Sequence, residues 1–396
     1  MKYIAELINF ELWFTYDDAH DQDKLEQTTI DLVIADIKEA IDTKRANCII
    51  GLMLVDGFLY KDNDRFYSVL EKIYCTATQL GIKKFYLMPG MCSDYQTELD
   101  QRMLDYEILN WNFPVNQMYQ SYKGKLDAVS DWNPNADKFL FLGGVPSRPN
   151  RIGLMSKYYD AGVLYRGEWS FFPPWTTDDQ AWCRDYLSCY NDSQYTDFLN
   201  YCDRAVDDKY AVSKDYSRVS GKEMADRNLL DSPWLNDCGW IDPDVFHCTS
   251  VSIISEGSCY PPAVDFEFLT EKIWRAVINN HPFIVADHPD RFTFMKTVGL
   301  KTFEEYLEVQ DYALLPNEEE RLNTVVRNTT YFLNNVSKHK DQILEDIEHN
   351  RKIMFDILER DNKLIEWLRH DLLVAEDSIE KWLMVKDFKT YIRIPK

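Results

Sequence analysis

Several features that would assign a class at once are missing from this 396-residue sequence. No apolar run approaches the ~20 residues that span a bilayer, and the first residues lack the basic and apolar regions of a signal peptide. The nine cysteines include no CxxC pair, which disfavours a disulfide framework and a zinc site. We therefore expect a cytoplasmic protein with reduced thiols and no membrane partner.

Positive charge is also scarce. The chain has 66 Asp and Glu residues against 44 Lys and Arg residues, a formal net charge of −22. Such a protein repels nucleic-acid backbones, and no basic run offers them a local groove. Neither GxGxxG, the dinucleotide-binding fingerprint, nor GxxxxGK[ST], the P-loop, occurs. Non-specific nucleic-acid binding and both standard nucleotide sites are therefore disfavoured.

The sequence contains enough apolar residues to form two hydrophobic cores. Hydrophobic residues make up 45% of the chain, and the length suits two domains and an appendage. Helical and strand patterns alternate in the first part, which is typical of a parallel α/β layer. The segments, in order, are "TTIDLVIADIKEAID", "CIIGLMLVDG", "YSVLEKIYCTATQLG" and "KKFYLMPG". A polar break at 129–138 predicts that this N-terminal α/β domain covers residues 1–135.

The alternation restarts after the break. "KFLFLGG" predicts a strand, "RIGLMSKYYDAG" a helix, and "CTSVSIISEGS" a strand that ends at Glu256. A helix at 270–280 and the strand "HPFIVAD" complete a βαβ unit. We expect a second α/β domain over 136–316. The charged, helical region 317–396 is expected to pack back on the two domains.

The start of the helix at 270–280 indicates an anion site. Thr270 is a suitable N-cap residue, and Lys272 lies in the first turn, where the backbone N–H groups already form a positive helix end. Free N–H groups and an ammonium group together can bind phosphate. In the alternative interpretation, Lys272 is solvated and Glu271 caps a surface helix. Local sequence leaves both interpretations open.

A second basic cluster favours the phosphate site. Arg148 and Arg151 lie in "GGVPSRPNR", a loop that connects a strand to a helix. Ligands bind parallel sheets at the carboxyl ends of the strands, and arginine can hold phosphate through two hydrogen bonds. Together with Lys272, these residues predict a diphosphate site in the second domain.

The same segments resemble a known family. "SEGS" followed by "FLTEKIWRAVINNHPFIV" resembles the donor-binding motif of family-10 fucosyltransferases and their GT-B relatives. The family's aromatic residue falls on Phe268, its Glu on Glu271 and its Lys on Lys272. Its acidic-amide pair falls on Glu256 and Gly257, a departure, because glycine has no amide side chain. "KFLFLGGVPSRPNRIGLMSKYYDAGVL" resembles glycosyltransferase-like proteins of phages and large viruses.

The resemblance covers roughly residues 137–170 and 248–310, and it implies a fold and an activity. The implied fold is GT-B: two Rossmann-like domains face each other across a cleft, with C-terminal helices, and the second domain holds most of a nucleotide sugar. The implied activity is sugar transfer from a nucleotide-diphosphate sugar. We expect Arg148, Arg151 and Lys272 to neutralise the diphosphate without a metal ion.

The remaining roles are assigned by position. Glu271 and Glu256 are candidates for binding donor hydroxyls, and Phe268 and Tyr260 for stacking on the base or sugar. A carboxylate of the first domain would accept the acceptor's proton. Asp56 ends the predicted strand "CIIGLMLVD" and is one candidate.

Asp18 in "FTYDD" is the other main candidate for the base, and Asp17 and Glu11 compete with it. The acceptor could be a glycan, a small molecule or a modified DNA base. Two other functions stay open: a non-catalytic binding or assembly protein that keeps a phosphate-binding cleft, and an unrelated α/β phosphotransferase or hydrolase.

Overall fold

The computed structural model of the protein describes residues 3–9, 22–53, 64–89, 96–124, 126–129, 131–144, 149–171, 243–255 and 269–383. The chain forms two compact units. Unit 1 comprises residues 1–113 and 356–396, and unit 2 comprises residues 114–355. The two parts of unit 1 are therefore separated in sequence by the whole of unit 2.

Unit 1 is built on a four-stranded parallel sheet. Its strands are β1 (Ala5–Asn9), β2 (Cys48–Met53), β3 (Lys84–Pro89) and β4 (Tyr106–Ile108). They pair in the order β1-β2-β3-β4, so neighbours in sequence are neighbours in space. The helices of its first part are α1 (Gln22–Lys44), α2 (Asp64–Gln79) and α3 (Gln96–Gln101).

Both faces of this sheet are covered. Ile49 belongs to a core with α1 and α2, whereas Ile50, the next residue, packs with Leu368 from the C-terminal helices. Alternate side chains of a strand point to opposite faces, which explains why β2 reads as an unbroken apolar run. The C-terminal part also reaches the edge strand, where the backbone N–H of Ala5 donates to the carbonyl of Leu372 at 2.9 Å.

Unit 2 contains a second four-stranded parallel sheet. Its strands are β5 (Phe139–Gly144), β6 (Gly167–Phe171), β7 (Val251–Ile254) and β8 (Phe283–Val285). The remaining helices are α4 (Phe113–Tyr122), α5 (Pro149–Asp160), α6 (Pro243–His247), α7 (Glu271–Ile278), α8 (Pro289–Val298), α9 (Glu318–Asn335), α10 (Lys340–His370) and α11 (Glu376–Leu383). The last residues of α10 and all of α11 belong to unit 1.

The strand order of the second sheet reverses once. It is β6-β5-β7-β8, so the chain moves from β5 to one side and then returns to the other side of β5. Such a reversal opens a crevice at the carboxyl ends of the two central strands, where ligands bind in open α/β sheets. Here the crevice falls between β5 and β7. No such reversal occurs among the described strands of unit 1.

The structure confirms a mixed α/β protein with two parallel sheets and helical C-terminal residues. The predicted helix at 270–280 is present as α7, one or two residues shorter at each end. Every residue of α7 from Ile273 to Ile278 is buried. Within the described residues, no helix is long and apolar enough to cross a membrane.

Candidate functional site

A buried hydrogen bond joins the start of α5 to the residue that follows β7. Ser255 immediately follows β7, and Asn150 lies in the first turn of α5, which follows β5. The Nδ2 of Asn150 donates to the Oγ of Ser255 at 2.7 Å, and both residues are buried. This contact lies at the carboxyl edge of the sheet and spans the point where the strand order reverses.

Helices α5 and α7 approach this crevice from opposite faces of the sheet. The ring of Phe139 in β5 stacks on Tyr158 of α5, with centroids 4.6 Å apart. Leu140, the next residue, points to the other face and packs with Phe246. Ala276 of α7 lines a cavity with Leu140 and Phe246, so α7 covers that second face. The N-terminal ends of both helices therefore flank the crevice.

The N-terminus of α7 has the predicted cap. The Oγ1 of Thr270 accepts a hydrogen bond from the backbone N–H of Lys272 at 3.2 Å. The Nζ of Lys272 lies 2.7 Å from the Oε1 of Glu271 and 3.3 Å from the Oγ1 of Thr270. Only 23% of the Lys272 side chain and 14% of the Glu271 side chain are exposed. The alternative of a solvated lysine on a surface helix does not describe this arrangement.

Electrostatics keep Glu271 ionised. Burial acts to raise the pKa of its carboxyl group, but the charges of Lys272 and Arg275 outweigh burial and hold that pKa below its ordinary value. The carboxylate also lies in the first turn, where the helix dipole favours negative charge. Glu271 therefore neutralises a lysine that would otherwise oppose the dipole.

Arg275 is a site residue that sequence reasoning missed. It lies one turn after Lys272, and residues three apart share a helix face. Only 8% of it is exposed, and it lines the same cavity as Lys272. Its position three residues after Lys272 could have indicated that it shares the site. An arginine is more often at the surface, however, so the sequence did not favour a buried role.

The cavity beside α7 has an apolar floor and a polar rim. Its volume is about 30 Å³, which is room for about one water-sized atom. Leu142 and other apolar side chains of β5 and α6 form part of its lining, and Ser252, Ser255, Lys272 and Arg275 are its polar residues. An apolar floor beside two cations lowers the local dielectric and strengthens electrostatic interactions made there.

Arg151 lies at the predicted sheet edge, but its described contact is internal. Its Nη1 donates to the carbonyl of Gly143 at 2.9 Å, and only 9% of the residue is exposed. The bond ties the first turn of α5 to the carboxyl end of β5. Arg151 therefore takes part in holding α5 at the carboxyl end of β5.

The other predicted residues fall in segments that the structure does not describe. Asp18, Asp56, Arg148, Glu256 and Phe268 lie outside the described residues, as do the alternatives named in the same segments. Of the predicted set, the structure brings Glu271 and Lys272 together and places Arg151 at the same sheet edge. Asn150, Ser255 and Arg275 are additions from the structure.

Two titratable residues, one at each end of β8, have structural roles. Asp287, which follows β8, lies 3.0 Å from Arg291 through its Oδ2 and accepts a hydrogen bond from the backbone N–H of His288 at 2.7 Å. At the other end of the sheet, burial lowers the pKa of His281 to about 4. Its neutral ring lies 2.7 Å from the Oγ of Ser252 through Nδ1, as expected for a histidine at a helix end.

The described groups at the crevice can hold an oxyanion. Lys272 and Arg275 offer only hydrogen-bond donors, and the N–H groups at the start of α7 add a positive helix end. Such a set suits the oxygens of a phosphate or carboxylate group.

Comparisons with family models, curated proteins and solved structures gave no match to this chain.

Proposed function

We propose that the chain is a glycosyltransferase that uses a nucleotide-diphosphate sugar and binds the donor diphosphate at the carboxyl ends of β5 and β7. The observation that carries this proposal is the half-buried Lys272 at the capped N-terminus of α7, beside the reversal of strand order. A lysine in that position opposes the helix dipole. Glu271 offsets this opposition in the structure, and an anionic ligand bound between the two would take over that role.

The proposed chemistry is stabilisation of a leaving diphosphate. When the bond from sugar to diphosphate breaks, negative charge grows on the diphosphate oxygens. Lys272, Arg275 and the helix N-terminus would stabilise this charge more strongly in the transition state than in the bound donor. Glu271, once its lysine turns to the ligand, would be free to accept hydrogen bonds from ribose or sugar hydroxyls.

The sugar-transfer part of the proposal is supported by the resemblance of the Thr270-Glu271-Lys272 helix to the donor motif of family-10 fucosyltransferases. A GT-B arrangement of the two units and metal-independent transfer belong to the same proposal. The base for the acceptor hydroxyl would be Asp56 or Asp18. Among acceptors, a glycan or small molecule fits the net charge of −22 better than modified DNA does.

A second candidate is a binding or assembly protein that retains the phosphate cleft. The ion pair between Lys272 and Glu271 favours it, because that contact is complete without a ligand. The two candidates differ in turnover. A transferase releases nucleoside diphosphate when donor and acceptor are present, and in many cases slowly with water alone, whereas a binding protein leaves the donor intact.

The first test measures donor binding. Wild-type protein and Lys272→Ala are titrated with a panel of nucleoside diphosphates and their sugars, and melting temperatures are recorded. A ligand of the folded state raises the melting temperature by mass action. We expect one nucleotide to stabilise the wild type and to bind Lys272→Ala about 10- to 100-fold more weakly, since hydrogen bonds to charged groups contribute about 1.5–3 kcal/mol.

A matched control is available within unit 2. Lys157 of α5 is another buried lysine beside a glutamate, with its Nζ 3.4 Å from the Oε1 of Glu319. Lys157→Ala should lower stability but leave nucleotide affinity unchanged. Equal binding by the wild type and Lys272→Ala would refute the proposed site. If no nucleotide binds the wild type at millimolar concentration, the transferase proposal fails.

A further inference from the structure

The hydroxyl oxygen of Ser255 is held by a neighbouring amide group. Its Oγ accepts the Nδ2–H of Asn150 at 2.7 Å, and only 4% of the residue is exposed. A serine hydroxyl has one hydrogen to donate and two lone pairs. One lone pair is occupied by the amide, and no acceptor for the hydrogen is found among the described residues. A buried donor without an acceptor is costly, so the group is suited to a ligand.

The surroundings identify the chemistry of that ligand. Ser255 lines the cavity of about 30 Å³ together with Lys272 and Arg275. All three side chains can present N–H or O–H hydrogens to this space, and two of them are cations. Its volume suits a single oxygen atom better than a whole phosphate group. A single oxygen of a larger anion fits there, with the rest of the anion in the crevice outside.

We infer that Ser255 donates a hydrogen bond to a phosphoryl oxygen of a bound diphosphate, and that Asn150 is a positioning residue that keeps the hydroxyl hydrogen directed at the ligand. The inference rests on the anion site of the proposed function but is independent of sugar transfer. It also gives the contact between Asn150 and Ser255 a purpose beyond joining α5 to the residue that follows β7. The amide takes a serine lone pair, so the serine acts as a donor.

Inorganic pyrophosphate is the appropriate probe, because it carries the diphosphate without base or sugar. Its affinity for the full chain is measured by isothermal titration calorimetry, and the fold of each variant is checked by circular dichroism. Ser255→Ala should bind pyrophosphate about 10- to 100-fold more weakly than the wild type, as expected for loss of one hydrogen bond to a charged group. Wild-type affinity in Ser255→Ala would overturn the inference.

Asn150→Asp tests the positioning role and serves if Ser255→Ala does not fold. Aspartate has the same shape but accepts hydrogen bonds, so it would draw the serine hydrogen away from the ligand. Its charge also repels the anion, and affinity should fall at least as far as in Ser255→Ala. Tyr158→Phe is the control, because it removes another buried hydrogen bond of α5, to Thr329 at 2.7 Å, and should leave affinity unchanged.

The outcomes separate this inference from the proposed function. Pyrophosphate binding that depends on Ser255, with no transfer from any nucleotide sugar, supports the inference and refutes the transferase. Sugar transfer by the wild type, with donor binding that is equal in the wild type and Ser255→Ala, supports the transferase and refutes the inference. If the wild type does not bind pyrophosphate at millimolar concentration, the inference is refuted and the nucleotide panel alone decides the function.

Discussion

Replacing Glu271 by glutamine should have opposite effects on stability and on anion binding. The carboxylate lies 2.7 Å from the Nζ of Lys272 and in the first turn of α7. Without the carboxylate charge, nothing compensates the repulsion between the Lys272 ammonium group and the positive end of the helix dipole. The same loss frees Lys272 for an incoming anion, because Glu271 no longer competes for it.

The size of the stability loss follows from two interactions. Carboxylate charge at a helix N-terminus contributes about 0.3–1 kcal/mol. Removing one partner of a fully buried ion pair costs about 3–5 kcal/mol, and this pair, with side chains 23% and 14% exposed, should lie below that range. We expect Glu271→Gln to lower the free energy of unfolding by roughly 1–3 kcal/mol, measured by urea denaturation.

The pH dependence provides an internal check. The pKa of Glu271 is lower in the folded protein than its ordinary value of about 4.3. A depressed carboxyl pKa gives stability that is full above the unfolded value and is lost as the pH falls through the folded value. The difference between the wild type and Glu271→Gln should therefore be constant above about pH 5 and shrink below about pH 4.

The choice of ligand makes the prediction sharp. Pyrophosphate has no hydroxyls, so Glu271→Gln should bind it about tenfold more tightly than the wild type does, which corresponds to 1.4 kcal/mol. A nucleotide sugar also offers hydroxyls to the carboxylate, so its affinity should rise less or fall. Weaker pyrophosphate binding by Glu271→Gln would refute competition for Lys272. Unchanged stability at pH 7 would refute the electrostatic role of the ion pair.

Two further predictions concern the sheet beneath the site. Gly167→Ala should cost about 1–3 kcal/mol of stability, because an added Cβ would lie 2.5 Å from the Cζ of Phe139; urea denaturation that matches the wild type would contradict this packing. Burial lowers the pKa of His281 to about 4, against about 6.5 in the unfolded chain. Stability should therefore be lost as the pH falls from about 6.5 to 4, by up to roughly 3 kcal/mol. A His281→Asn variant with the same pH dependence as the wild type would show that His281 is not its cause.

Local sequence was sufficient to predict α7 because its signals are short-range. The cap at Thr270, the apolar spacing and the Asn-His-Pro end all act within one or two turns. The same holds for β2, whose unbroken apolar run reflects helices on both faces. These elements could be located without knowledge of their partners in space.

The partners themselves could not be predicted from local sequence. Asn150 and Ser255 are 105 residues apart in the chain, and only the pairing of β5 with β7 brings them together. The guanidinium group of Arg151 predicted a phosphate contact, but this group suits a carbonyl oxygen as well as a phosphate. The residue type was informative, but the geometry of the strand ends decided what it contacts.

The two sheets explain why the candidate anion site lies in unit 2. The described strands of unit 1 follow each other in sequence order, and a sheet of that kind opens no crevice between central strands. The second sheet reverses between β5 and β7, and Asn150, Ser255 and Lys272 all lie at that reversal. Under the proposed function, in which Asp56 or Asp18 is the base, replacing that residue by asparagine should abolish transfer and leave pyrophosphate binding in unit 2 intact.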